Sequence, residues 1–212
     1  MTGVLRLAAA LTLCAQAAFA HDGKVHSSIA ETQSHVRGEA AAAPTGVPLP
    51  FDLGGAYRLT DQNGQTRTEA DPDGNLQLLF FGYANCQEIC SAALPQMADI
   101  AQALRERGVP LTPVMITVDP ERDTVATMGP ALAKFGDELV GLTGSDADLA
   151  AVYDLFAIES AVVFEDPVLG PVYAHGGFLY LLDARGGFLT VIPPILSTDR
   201  AIDIIATYAP AG

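Results

Sequence analysis

The segment from Leu76 to Tyr83 is an apolar run, the pattern of a strand buried on both faces of a sheet. It gives way to a helical period in which Met97, Ile100, Ala101 and Leu104 share one face, and Arg107-Gly108 supplies a basic residue and then glycine to end the helix. Pro95 lies inside this helix or at its start, where it either kinks the helix or marks where regular geometry begins. Leu111 to Val118 predicts a second buried strand. Asp123-Thr124 caps a helix running to about Phe135, and Leu139 to Leu142 is a short strand. Ser145 opens a further helix with Asp148 as the acidic partner of a capping box. Ala161 to Phe164 reads as a short strand. Phe178 to Leu182 and Phe188 to Ile192 form a hairpin around Asp183-Ala184-Arg185-Gly186-Gly187, and Ser197 to Tyr208 is a last helix with Ile202, Ile205 and Ala206 on one face. Near the start, Tyr57-Arg58-Leu59-Thr60 and Thr66-Arg67-Thr68 flank Asp61-Gln62-Asn63-Gly64, and Asn-Gly is a strong hairpin signal. Strands alternating with helices, then a hairpin and a helix, predict an α/β sandwich with a central mixed sheet and an N-terminal hairpin. It forms one domain over residues 48–212, without internal repeats.

The region ahead of that domain has a different character. Arg6 is the only charged side chain among residues 1–20, Leu7 to Ala15 is apolar, and Ala18-Phe19-Ala20 has the form of a cleavage site. Residues 1–20 therefore read as a cleaved export signal, too short in its apolar part to span a membrane. Cys14 raises the alternative of a lipoprotein signal, but Leu13 before it is not small, so cleavage after Ala20 and a soluble periplasmic chain is the expectation. Residues 21–47 carry His21, His26 and His35 among Ala, Ser and Glu without a period, and Pro44, Gly46, Pro48 and Pro50 close the stretch, which reads as a flexible tail. A formal net charge of −14 excludes a phosphate backbone or an anionic membrane surface as a natural partner.

Cleavage reduces the cysteines from three to two, Cys86 and Cys90, in a compartment where a pair is oxidised unless reduced or metal-bound. They lie in Phe81-Gly82-Tyr83-Ala84-Asn85-Cys86-Gln87-Glu88-Ile89-Cys90, after a strand and at the mouth of a helix. Asn85 with Glu88 has the form of a capping box, which predicts Cys86 in the first helical turn and both sulfurs on one helix face. The spacing is one residue longer than a thioredoxin-type C-x-x-C. It permits a structural disulfide, a redox pair, or soft ligation suited to copper, with an imidazole able to extend the site to Cu(II). His175, in Tyr173-Ala174-His175-Gly176-Gly177, is the one histidine of the predicted domain and is either a ligand or an ordinary loop residue.

Taken in order, these motifs resemble the Sco/SenC family. Its pattern is a strand ending in Phe-Gly-Tyr, a Thr-x-Cys-Pro-x-x-Cys-Pro loop, a Val-Asp-Pro-x-x-Asp-Thr segment and a histidine before the last hairpin. Here these fall on Phe81-Gly82-Tyr83, Cys86 and Cys90, Val118-Asp119-Pro120-Glu121-Arg122-Asp123-Thr124, and His175, with Val140-Gly141-Leu142-Thr143-Gly144 similar to a further family stretch. The resemblance implies a thioredoxin-like fold and one copper ion on Cys86, Cys90 and His175. It also implies a role in building the dinuclear copper centre of cytochrome oxidase, as copper donor, as thiol reductant with Cys86 and Cys90 as the redox pair, or as both. The copper-receiving oxidase subunit and a periplasmic thiol reductant are the implied partners. Asp119 and Asp123 match family positions but are read as a turn and a helix cap. The family's Thr, Pro and Pro are replaced by Ala84, Gln87 and Ser91, and loss of the prolines predicts either a looser cysteine loop or N–H groups free to stabilise thiolates, with altered copper affinity and redox potential.

Overall fold

Seven strands build one mixed sheet, and the apolar run predicted as a strand buried on both faces lies in its interior. The description rests on a computed structural model and covers residues 53–86, 90–168 and 170–209. The expected export signal, the histidine-bearing tail, and Gln87 and Glu88 lie outside those residues. Strand β3 (Leu76–Gly82) is buried along its whole length. It pairs in parallel with β4 (Leu111–Thr117), and β4 pairs in parallel with β5 (Val140–Thr143). On its other side β3 pairs antiparallel with β8 (Leu179–Leu182), which forms the C-terminal hairpin with β9 (Phe188–Ile192). The N-terminal hairpin, β1 (Arg58–Asp61) and β2 (Thr66–Thr68), joins through β1 to β5, giving the order β2-β1-β5-β4-β3-β8-β9. Its turn works as the Asn-Gly signal implies. Gly64 takes a positive φ of 77°, and Asp61 Oδ1 accepts from the N–H groups of Asn63 (2.8 Å) and Gln65 (2.9 Å).

Helices connect the parallel strands. Helix α1 (Cys90–Glu106) buries Cys90, Ala93, Leu94, Met97, Ile100, Ala101 and Leu104 on the helical period, and Gly108 with φ 76° ends it. Pro95 lies within α1, where it offers no N–H to the preceding turn. Helix α2 (Val125–Leu132) passes into a single 3₁₀ turn (Ala133–Phe135), as the segment up to Phe135 predicts. Helix α3 (Asp146–Leu155) starts from Ser145, whose Oγ accepts from the Asp148 N–H at 3.2 Å and donates to the Asp148 carboxylate at 2.6 Å. Helix α4 (Thr198–Ala206), capped by Ser197, buries Ala201, Ile202 and Ile205 and packs against α1.

One element differs from the sequence pattern. The strand expected at Ala161 to Phe164 is β6 (Ala161–Asp166), and it pairs only with β7 (Gly170–Ala174), in a two-stranded ribbon separate from the main sheet. Val162, Val163 and Phe164 are about half exposed. No face of the ribbon is buried in the core, so the hydrophobic period gives no sign of β7. Among the described residues no helix is long and apolar enough to cross a membrane.

Candidate metal centre

Strand β3 ends at Gly82, a position with no room for a side chain. A Cβ at Gly82 would stand 2.5 Å from Phe80 Cε1 and 3.0 Å from Cys90 Sγ, so only glycine leaves room for the buried thiol beside the strand. The chain then turns through Tyr83, Ala84 and Asn85, and the Cys86 N–H donates to the Tyr83 carbonyl at 3.1 Å. Cys86 therefore stands in a turn before the helix, and only Cys90 belongs to α1. This corrects the expectation that both sulfurs share a helix face. Cys86 is held in the turn that follows β3 and Cys90 in the described helix, and the two thiols still come together with His175.

The third group arrives from the ribbon. His175 follows β7 directly, and its Nε2 lies 3.6 Å from Cys90 Sγ. One ligand atom from each of Cys86, Cys90 and His175 lies within 4.8 Å of the other two. Metal–thiolate and metal–imidazole bonds of about 2.3 and about 2.0 Å, spread at trigonal angles, place sulfur and nitrogen about 3.5–4 Å apart. The Cys90–His175 separation matches a shared ion. The imidazole is also set in the right tautomer. Its Nδ1 faces the Gly176 carbonyl at 3.1 Å and must carry the proton there, which leaves the Nε2 lone pair toward the sulfurs. Phe80 and Tyr83 meet the ring edge-on, with centroids 5.7 and 6.0 Å away, and fix its plane.

The thiols differ from each other. Cys90 is fully buried and Cys86 is 5% exposed. The Cys90 thiol is held well above its ordinary value, first by its hydrogen bond with Cys86 and then by burial. Tyr83 is pushed up to about 12 by burial and by its contact with Cys86, so it stays a neutral phenol beside the sulfur.

The site has supports that sequence reading missed. Asp123, expected to share in capping α2, does not. Thr124 is the N-cap, with its side chain accepting from Thr127, and Asp123 turns toward the cysteine loop. Its Oδ2 accepts from the Ala84 N–H at 2.9 Å and from Thr117 Oγ1 at 2.7 Å. Lys134 donates to the Ala84 carbonyl at 3.3 Å. Ala84 is thus tied on both sides through its backbone, while Gln87, where the family has a proline, lies outside the described residues. The Val-Asp-Pro-Glu-Arg-Asp-Thr motif was the available signal, but local cap chemistry explained its aspartates equally well.

A protein-family model described as SCO1/SenC matches residues 47–210. The chain belongs to the SCO1/SenC family. It is similar to the SCO2-like protein of Rickettsia felis, at 37% identity over 139 residues, covering 65% of this chain and 67% of that one. Its fold is similar to that of Bradyrhizobium japonicum ScoI with copper bound, with a TM-score of 0.65 and 31% identity over 74% of this chain and 99% of that one. It is similar also to Arabidopsis thaliana ScoI with copper bound, with a TM-score of 0.68 and 28% identity over 73% and 96% of the two chains. This Sco/SenC protein accordingly has the thioredoxin-like α/β fold expected from its sequence, with the two cysteines and the histidine at the junction of β3, α1 and β7.

Proposed function

We propose that this Sco/SenC protein is a periplasmic copper chaperone that carries one ion on Cys86, Cys90 and His175 and gives it to the copper-receiving subunit of a cytochrome oxidase. The observation that carries the reading is the convergence of two thiols and an imidazole within 4.8 Å, a soft donor set that suits Cu(I), with the imidazole extending it to Cu(II). A structural zinc site takes four protein ligands, and among the described residues no fourth belongs to this cluster. The relatives with copper bound support the choice of metal. Membership of a family associated with cytochrome oxidase assembly supports the choice of client. The A-x-A sequence at residues 18–20 supports export, and a mature mass beginning at His21 tests it. A mass for a lipid-modified Cys14 would overturn the soluble form. Delivery by ligand exchange is tested by mixing the copper-loaded protein with the soluble copper domain of an oxidase subunit, separating the two and assaying each for metal. Copper found on the domain supports the reading, and copper left on the donor refutes it.

A second reading has its own support in the inequality of the thiols. In thiol–disulfide exchange, Cys86, nearer the surface, attacks the client disulfide and releases one client thiol. Cys90 then attacks the mixed disulfide and frees the second. The client gains two electrons and two protons, and the Cys86–Cys90 pair becomes a disulfide that a periplasmic dithiol must reduce. Loss of client reduction in either cysteine variant, with His175→Ala still active, favours this role.

A further inference from the structure

His175 sits at the end of a ribbon that the main sheet does not hold, yet its imidazole must stay in register with two sulfurs on other elements. The connection between β4 and α2 supplies a tie. Arg122 pairs with Asp119, which is 1% exposed, and its Nη2 donates to the Pro171 carbonyl of β7 at 2.7 Å. The guanidinium also lies 5.5 Å above the Tyr83 ring and against Gly170, where a Cβ would meet Nη1 at 2.9 Å. Asp119 takes a second hold on the same strand, accepting from the Tyr173 hydroxyl at 3.2 Å, and the Tyr173 ring packs on Tyr83 at 5.4 Å. The Asp119–Arg122 pair thus grips β7 at Pro171 and at Tyr173, two residues before His175. A planar fork suits this task, because one guanidinium can serve a carboxylate, a carbonyl and an aromatic face at once.

We propose that Asp119 and Arg122 form a latch that positions His175 for the metal by holding the β6–β7 ribbon against the cysteine loop. They are positioning residues and do not touch the ion. The metal part of this proposal rests on the copper reading above, whereas the latch itself is a property of the metal-free protein.

The test uses the full mature chain with Arg122→Met, Arg122→Lys and Tyr173→Phe. Tyr173→Phe keeps the Asp119–Arg122 pair intact and serves if Arg122→Met does not fold. Amide hydrogen exchange in the metal-free, reduced protein is expected to accelerate by about tenfold or more at Val172 to His175, with amides of α1 unchanged, as local opening requires. The His175 ring signals in NMR are expected to lose their single sharp environment. Arg122→Lys, which keeps charge but not the fork, is expected to fall between wild type and Arg122→Met. Copper affinity is expected to drop about tenfold, with a shifted Cu(II)–thiolate absorption, if the ligand is no longer pre-organised. Unchanged exchange at these amides in both Arg122→Met and Tyr173→Phe overturns the latch, as does equal acceleration throughout the domain. Faster local exchange with unaltered copper affinity and spectrum overturns the positioning role. Wild type that takes up no copper refutes the copper reading alone, and the exchange pattern and His175 signals then decide the latch.

Discussion

Replacing Asp123 with alanine tests how the cysteine loop is held. One carboxylate oxygen accepts both the Ala84 N–H and the Thr117 hydroxyl, and Asp123, Ala84 and Thr117 are at most 1% exposed. Alanine leaves two buried donors without that acceptor. Each such loss costs about 1–3 kcal/mol, although a hydroxyl can rotate away. Removing a buried charge offsets part of this, so the expected net loss is about 1–3 kcal/mol at neutral pH. With a urea m-value of about 1–3 kcal/mol/M, a loss of about 2 kcal/mol lowers the midpoint by about 1 M. Asparagine keeps one acceptor oxygen and is expected to stay within about 1 kcal/mol of wild type. The pH dependence separates the two contributions. Burial raises the Asp123 carboxyl above its ordinary value of 3.8, outweighing the Ala84 and Thr117 donors. An acid with a raised folded pKa binds its proton more tightly when folded. Its contribution to stability is therefore greatest below 3.8 and declines as pH rises through the folded value. Asp123→Asn lacks that decline and is expected to gain on wild type as pH rises across this range. Urea unfolding of the metal-free, reduced protein at several pH values measures both effects. Equal midpoints for wild type and Asp123→Ala, or a constant offset between Asp123→Asn and wild type at all pH, would refute the reasoning.

Two further outcomes follow from the crowding at the site. Gly82→Ala pushes a methyl into Phe80 and Cys90, both fully buried, and is expected to lower stability by about 1–3 kcal/mol, read as a reduced thermal midpoint with weakened metal binding. An unchanged midpoint contradicts the close approach. In the native, metal-free, reduced protein, iodoacetamide is expected to label Cys86 while Cys90, buried and held above its ordinary pKa, stays unmodified by peptide mass spectrometry. Faster labelling of Cys90 contradicts the assigned division between the thiols.

The legible parts of this fold were those whose physics is local. The apolar run of β3, the Asn63-Gly64 turn, and the helix starts at Thr124, Ser145 and Ser197 each depend on residues close in sequence. Cys86, Cys90 and His175 stood out because few other soft or imidazole ligands remain in the domain. What was hidden depends on distant pairing or on absent patterning. The attachment of β1 to β5 joins segments far apart in the chain, and the ribbon, with β6 largely exposed and β7 at most half-buried, has no fully buried face to set a period. Capping logic drew Cys86 into a helix, although a turn bonded to the Tyr83 carbonyl holds it. The sequence places Asp123 beside the cap of α2, yet its partners are Ala84 and Thr117.

The central claim is that Cys86, Cys90 and His175 together hold one copper ion. Copper stoichiometry and affinity on the reduced, tag-free mature protein, repeated for His175→Ala, tests it most directly. The expected result is one tightly held ion per chain, with binding weakened in His175→Ala while its circular dichroism and unfolding midpoint stay close to wild type. No retained copper in the wild type, or equal affinity in His175→Ala, would contradict the three-ligand site.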